Sequence, residues 1–387
     1  MRGKRLLTLF WYDDICQAHL YKDVGGVPYS LAKYCGWQTT FAYIADNGVL
    51  RDNSYEQYVT LSPIKPGKNN FARKWHLVQY LWQNISQYDV MNYYHDRKTG
   101  LLLALIAKLR KPSLKLYVKC DMGRGFYLTK IKPVEGVKNK IKAFFYNYFS
   151  QIIDLYSCET KQYLTELNQV KRFQNKIKYL PNGFFTDFAV NNEKMPKERI
   201  ILTVGRIGAQ EKNTELLLAA LEKIDVNQLQ HWQVYLVGTV TAEFREYLQA
   251  KFKIKPYLKD IIKMTGNITN KQELYRIYAR SSIFILPSRE ESWGLVIPEA
   301  MYHENYVIVT DCCDAYAELL GQDEFGKIVP NYDAEALKTA IVDAMAGKVE
   351  LKAVGLAAKE HVQRAFTWSI LAQRLDGYLE EVLHQNK

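Results

Sequence analysis

Ser288-Arg289-Glu290-Glu291-Ser292-Trp293-Gly294-Leu295-Val296-Ile297-Pro298-Glu299-Ala300-Met301 is the stretch whose reading decides the fold. It follows the apolar run Ile283 to Leu286, which reads as a buried strand, and it opens a helix. Ligands of parallel α/β sheets bind beyond the carboxyl ends of strands, where the free N–H groups of Ser292, Trp293, Gly294 and Leu295 would point and favour an anion. Glu291 would stand on that loop, with Glu299 about a turn inside the helix. Two carboxylates beside an anion site make sense if they accept hydrogen bonds from sugar hydroxyls while the amides hold phosphate. The plainer reading is a capped helix whose acidic first turn is stabilised by the macrodipole, and spacing alone leaves both open.

Working outward, the second half alternates short β-rich runs with amphipathic helical patterns, the grammar of a parallel sheet covered by helices. Arg199 to Val204, Trp232 to Val237, Ile261 to Thr265, Ile283 to Leu286 and Tyr306 to Thr310 read as strands buried on both faces. Asn213-Thr214 is placed to cap a helix that turns Leu216, Leu217, Ala220, Leu221 and Ile224 to one side, and Asn270 to cap another running to Arg280.

In the first half, strands are expected at Arg5 to Phe10, Thr39 to Ile44, Asp89 to Tyr94, Lys115 to Val118 and Ile152 to Tyr156. Helical patterns cover Pro28 to Tyr34, Phe71 to Asn84, Leu101 to Leu109 and Lys138 to Phe149. Two α/β domains follow. The seam falls at Leu180-Pro181-Asn182-Gly183, where a strand-like Ile177 to Leu180 meets turn residues before the polar Asn191 to Glu198 segment. The expected division is residues 1–182, residues 183–366, and a last helix over 367–387.

Two further signals lie beside strands. Val204-Gly205-Arg206 ends one, and Lys212 follows just before a capped helix, so two cations could neutralise a diphosphate. Taken alone, Arg206 and Lys212 also read as solvated surface charges. Gly25-Gly26-Val27-Pro28 is the only Gly pair before a helix in the first half; Gly permits close backbone approach to a ligand, and Pro28 suits a first helical turn. Neither a full G-x-G-x-x-G nor a G-x-x-x-x-G-K-[ST] loop is present, which argues against a dehydrogenase or an ATPase.

Composition narrows the classes further. A chain of 387 residues with 48% hydrophobic and 24% charged residues reads as a folded, soluble protein, not a disordered or fibrous one. The six cysteines form no C-x-x-C pair and have no nearby His at ligand spacing, so reduced, cytosolic thiols are expected and neither a disulfide framework nor a zinc site is. Leu6 to Trp11 imitates a signal peptide but is short and meets Asp13-Asp14, and it reads as a first strand. No run approaches the roughly 20 apolar residues of a membrane span.

Charge is uneven. Residues 1–185 hold 28 Lys and Arg against 13 Asp and Glu, a net of +15, whereas the remaining residues hold 24 against 28, a net of −4. A cationic half could meet nucleic acid, an anionic membrane or a phosphorylated substrate. Basic residues are dispersed and no RNP-like or zinc-finger pattern occurs, so nucleic acid is not expected as a partner.

Together these patterns resemble the retaining glycosyltransferases of family 4, whose GT-B fold sets two Rossmann-like domains with parallel sheets facing a cleft. Glu291 to Glu299 reproduces the family's E-x7-E motif, with Trp293-Gly294 inside it, and Val204-Gly205-Arg206 with Lys212 looks like its diphosphate-binding pair. Gly25-Gly26 sits where the family has a Gly-rich loop. Phe366-Thr367-Trp368 begins what looks like its last helix, which crosses back to the first domain.

The resemblance implies that Arg206 and Lys212 hold the donor diphosphate, that Glu299 binds the ribose hydroxyls and that Glu291 contacts the donor sugar. The amides of Ser292, Trp293, Gly294 and Leu295 would assist, and Asn267-Ile268 would lie on the loop that meets the base. Many family members carry His-Asp where this chain has Lys119-Cys120-Asp121, so Lys119 or Asp121 is expected to replace that His on the acceptor side. The implied reaction is transfer of a hexose-type sugar from a nucleoside diphosphate to an acceptor hydroxyl with retention of configuration. No two Asp are spaced D-x-D, so no metal and no other cofactor is expected. A nucleotide-sugar epimerase or a phosphorylase on the same fold stays open, as does a scaffold that has lost the chemistry.

On this resemblance the first domain receives a lipid-linked or oligosaccharide acceptor. Lys138, Lys140 and Lys142 precede Phe144, Phe145, Tyr146, Tyr148 and Phe149, and Arg73-Lys74-Trp75 forms a second basic-aromatic patch. Such a surface could lie on anionic lipid, which places the protein in the cytoplasm, peripheral on the inner face of the membrane. The bland alternative makes the aromatics core and the lysines a solvated face.

Overall fold

The computed structural model describes residues 3–12, 15–121, 123–131, 135–187 and 195–385. Asp13-Asp14 and the first half of the polar segment expected after the seam, residues 191–194, lie outside the described residues. The chain divides into two compact units, Met1–Gly183 with Trp368–Lys387, and Phe184–Thr367.

The first unit is built on a parallel sheet of β1 (Arg5–Phe10), β2 (Gln38–Ile44), β3 (Val59–Ile64), β4 (Val90–Tyr94), β5 (Lys115–Cys120), β6 (Leu155–Cys158) and β7 (Ile177–Tyr179). Its spatial order is β3-β2-β1-β4-β5-β6-β7. The second unit carries β8 (Glu198–Val204), β9 (Gln233–Val237), β10 (Ile262–Gly266), β11 (Ser281–Leu286), β12 (Tyr306–Thr310) and β13 (Gly326–Val329), ordered β10-β9-β8-β11-β12-β13. All pairings are parallel.

Strand order reverses between β1 and β4, and again between β8 and β11. Such a switch point opens a crevice beyond the strand ends, because successive connections leave in opposite directions. Alternation along β11 shows how the second sheet is covered on both sides: Ile283 and Ile285 enter one apolar cluster, Phe284 and Leu286 the other.

Two strands are not expected from the sequence, and both lie at sheet edges. In β3, Pro63 and the half-exposed Leu61-Ser62 hide the pattern, and an edge is where a sheet tolerates proline. β13 is a four-residue Gly-Lys-Ile-Val run at the other sheet's edge. The strand expected from Ile152 starts instead at Leu155; Ser150–Ile152 forms a single helical turn, and Asp154 accepts a hydrogen bond from the Leu116 amide at 2.8 Å.

The glycine pair also corrects the sequence reading. The helix begins at Asp23 and runs to Cys35, so Gly25 and Gly26 lie inside its first turn and Pro28 in its second. The Gly26 amide is already bonded to the Lys22 carbonyl at 2.7 Å. A Cβ on Gly25 would stand 2.2 Å from the Leu20 carbonyl oxygen, and one on Gly26 would stand 2.3 Å from the Trp368 ring. The close approach these glycines permit is therefore to the chain itself. Pro28 cannot donate to the carbonyl four residues before it, that of Val24. Tyr94 fills the place: its hydroxyl donates to the carbonyls of Asp23 at 3.0 Å and Val24 at 3.3 Å.

Trp368–His384 forms a helix that packs on the first unit. Asp376 accepts from Lys4 Nζ at 2.9 Å and from Trp37 Nε1 at 2.7 Å, while Lys178 reaches Glu381 at 3.0 Å. Trp368 sits against Gly26 and Gly183, where a Cβ would approach its ring to 2.3 and 2.6 Å.

Candidate functional site

The two signals read separately in the second half come together at the β8/β11 switch point. β8 is followed at once by Gly205-Arg206, and β11 ends two residues before Ser288. The Arg289 amide donates to the Glu211 carbonyl at 2.7 Å, which ties the loop after β11 to the loop after β8. Across this tie Lys212 Nζ pairs with Glu291, and the Ser288 hydroxyl donates to the same carboxylate oxygen at 3.1 Å. The Glu291 side chain is only 11% exposed, so its charge depends on that lysine more than on water.

Arg206 is placed differently. Its side chain is 70% exposed and its guanidinium lies 2.5 Å from Glu211, a partner the sequence reading missed. An exposed cation of this kind is free to exchange one anion for another at little cost.

Asn213 does not cap the helix Thr214–Leu221. It takes a left-handed φ of 49°, and Thr214 instead accepts from the Gly208 amide at 3.1 Å. Asn is one of the few side chains that visits this region readily.

After β11 the helix starts only at Val296 and runs to Tyr302, later than expected. Ser292, Trp293, Gly294 and Leu295 form the turn before it, and their amides donate to no described residue. Gly294 has φ 77°, which glycine alone adopts without strain. Four consecutive amides without an acceptor are donors that an anion could satisfy. The Trp293 ring is buried in the core against Phe366.

Glu299 is buried too. Lys271 Nζ lies 2.6 Å from one of its oxygens, and the hydroxyls of Tyr275 and Tyr278 donate at 3.3 Å each. Lys271 is a second partner that sequence reasoning missed; Asn270, which does cap its helix through the Glu273 amide, was the only sign there. To hold a ribose, Glu299 must exchange part of this set for hydroxyls.

Asn267 and Ile268 follow β10, Asn267 exposed and Ile268 packed on the core. At the neighbouring strand end, a Cβ on Gly238 would stand 1.8 Å from the Gly205 carbonyl oxygen, so the backbone there is held as close as glycine allows.

The first unit has its own polar cluster at strand ends. Lys119 is fully buried, donating to the Leu180 carbonyl at 3.2 Å with Glu159 at 3.9 Å, so it serves the interior and cannot take over a contact to an external sugar. Asn182 donates to Glu159. Burial, with Asp121 beside it, pushes the Asp23 carboxyl up to about 7, and the same two causes raise Glu159 well above the usual carboxylate range. His95, at the end of β4 with φ 62°, meets the Asp121 carbonyl through Nδ1 at 2.9 Å, and burial lowers its pKa. His95 was overlooked in the sequence although His95-Asp96 directly follows a strand; Asp121 remains half-buried beside it.

The aromatics of the Lys138 to Phe149 segment are not core. Phe144, Phe145, Tyr148 and Phe149 are all exposed, and only Tyr146 turns inward, donating to Asp96 at 2.6 Å. In the second patch Arg73 is tied to Asp46 at 2.8 Å, while Trp75 is exposed. All six cysteines are free, and no described helix is long and apolar enough to cross a membrane.

Residues 198–346 match the family described as glycosyl transferases group 1. The second unit is a group 1 glycosyltransferase domain. A lipopolysaccharide core biosynthesis mannosyltransferase of Rhizobium leguminosarum bv. viciae is 31% identical over 196 residues, which is 50% of this chain and 54% of that protein. A phosphatidyl-myo-inositol mannosyltransferase of Mycolicibacterium smegmatis is 26% identical over 210 residues, 52% of this chain and 51% of its own. The chain thus spans about half the length of these curated relatives.

Among solved structures, a sucrose-phosphate synthase of Thermosynechococcus elongatus superposes with a TM-score of 0.73 at 18% identity, covering 98% of this chain and 99% of that one. HepE of Anabaena, in complex with UDP and glucose, gives 0.71 at 14% identity, covering 98% and 100%. At such identities the likeness speaks for the fold, which is GT-B: two Rossmann-like units with parallel sheets. The group 1 domain is the unit that holds Arg206, Lys212, Glu291 and Glu299.

Proposed function

We propose that this protein is a retaining glycosyltransferase that moves a hexose from a nucleoside-diphosphate sugar to an acceptor hydroxyl. The acceptor in this reading is lipid-linked or an oligosaccharide, in cell-surface polysaccharide or glycolipid assembly at the cytoplasmic face of a membrane. The carrying observation is the Lys212–Glu291 pair, set with Arg206 at the switch point of a group 1 glycosyltransferase domain.

The pair supplies both charges the reaction needs. As the bond from the anomeric carbon to the diphosphate oxygen breaks, negative charge grows on the leaving group. Lys212, Arg206 and the free amides of Ser292 to Leu295 are cationic or dipolar donors already in place, so little reorganisation is required. In the resting protein each cation is held by a carboxylate, Glu291 or Glu211; a diphosphate displaces the carboxylate, and Glu291 then accepts a hydroxyl of the donor sugar. The acceptor oxygen bonds to the anomeric carbon on the face the diphosphate leaves, and the acceptor proton passes to a diphosphate oxygen. Positive charge is assigned here to side chains, with no metal in the scheme.

The test is product analysis with a panel of nucleotide sugars and a membrane-lipid extract. A new glycoside with retained configuration, formed only when acceptor is present, supports the reading. An altered sugar nucleotide without acceptor would mean an epimerase, and a requirement for inorganic phosphate a phosphorylase.

A further inference from the structure

The helix Val137–Phe149 has an unusual environment: none of its 13 residues is buried. Phe144 and Phe145 are 66% and 53% exposed, and Ile141, Tyr148 and Phe149 are open to solvent as well. Leaving aromatic side chains in water forfeits the burial that normally stabilises a surface helix, and contiguous exposed apolar area marks an interaction site. The helix rests on a neighbour, Lys98–Arg110, whose Leu102 and Leu109 are exposed too. Between the two runs a groove of about 310 Å³, lined by Leu102, Leu105, Ile141, Phe145 and Phe149.

Charge decides what covers this face. The helix contains Lys138, Lys140 and Lys142 and no acidic residue, and none of the three lysines has an ion-pair partner among the described residues. Lys98 and Lys142 stand at the groove. An apolar face edged by unpaired lysines matches a bilayer surface, where rings enter the acyl boundary and ammonium groups meet lipid phosphates.

We propose that Val137–Phe149, with its groove against Lys98–Arg110, is the docking surface for a membrane leaflet bearing anionic phospholipid. The inference rests on the membrane-side reading of the function given above and names the part of the chain that realises it. The rings supply adhesion and the lysines supply the preference for anionic lipid; each lysine near such a surface contributes about fivefold in binding.

The test uses the full chain and flotation with vesicles of phosphatidylcholine alone, or of equal parts phosphatidylcholine and phosphatidylglycerol, at low salt. The parent is expected to bind the mixed vesicles at least tenfold more tightly. Lys138→Ala/Lys140→Ala/Lys142→Ala should lose about a hundredfold on mixed vesicles, and Phe144→Ser/Phe145→Ser/Phe149→Ser should weaken binding to both kinds. Melting temperature, and its shift by UDP, GDP or ADP, reports separately on folding and the donor site. Equal binding to neutral and anionic vesicles, or undiminished binding by both variants, overturns the proposal. So does a parent that ignores vesicles but dimerises through these rings, with dimerisation lost in the Ser variant. Vesicle binding that persists when no nucleotide is bound and no glycoside is formed would uphold this surface and defeat the proposed function instead.

Discussion

Lys212 and Glu291 stand 79 positions apart in the chain and form one ion pair at the ends of adjacent strands β8 and β11. Neither residue explains the other locally. The pair exists because the β8-β11 switch brings two loops together, and the Arg289 amide bonded to the Glu211 carbonyl holds them there.

Removing either member should stop turnover. Lys212→Ala and Glu291→Ala are each expected to lower the transfer rate by at least about a hundredfold, as loss of a preorganised charge does. Circular dichroism should stay native. Full activity in either variant would remove the pair from the mechanism.

Arg206→Ala should act on the nucleotide and leave the fold alone. An arginine that is 70% exposed contributes little to stability, so the melting temperature of the free protein should not move, whereas its rise with nucleoside diphosphate should shrink. Titration calorimetry of parent and variant measures this directly.

The buried Glu299 set predicts a coupling. Lys271→Ala leaves a buried carboxylate with two tyrosine hydroxyls and no cation, which should cost roughly 3 kcal/mol of stability. Adding Glu299→Gln to that variant should restore part of the loss, because the uncompensated charge is gone. A double-mutant cycle by urea denaturation gives the interaction energy; a strictly additive result would mean that the two side chains do not depend on each other.

What the sequence revealed and what it hid have physical causes. Strands such as β11 and β12 carry apolar side chains on both faces and stand out; β3 is an edge strand interrupted by polar residues and proline, β13 an edge strand of only four residues, and they do not. Glu291 and Lys212 were legible because each lies on the loop that follows a strand. Glu211 and Lys271 were not, since their roles arise from partners 5 and 28 positions away that only the folded loops bring near. Gly25-Gly26 reads as a ligand loop because glycine's freedom says nothing about which atoms come close, and here they are those of Leu20 and Trp368. Lys119 looked like a stand-in for a ligand-binding histidine, but a fully buried lysine on Leu180 and Glu159 belongs to the interior.

Asp23 predicts a pH dependence whose sign can be worked out. Its carboxyl ionises near 3.8 when unfolded and is pushed up to about 7 in the native protein, so between those values the native state binds a proton that the unfolded state does not. Its contribution to stability is therefore fully present below about pH 4 and is lost as pH rises through 7. Relative to the parent, Asp23→Asn should gain stability at pH 8 compared with pH 4, read as the difference in melting temperature at the two values. A constant difference would mean that Asp23 is ionised throughout.

The most direct measurement is the melting temperature of the parent and of Lys212→Ala against UDP, GDP, ADP, CMP and dTDP. A diphosphate present at about 100 times its Kd should add about 2.7 kcal/mol to the native state. We expect one diphosphate to raise the parent's midpoint and the same compound to leave Lys212→Ala unmoved. No shift with any of them, or an equal shift in the variant, would contradict a donor site built on the Lys212–Glu291 pair.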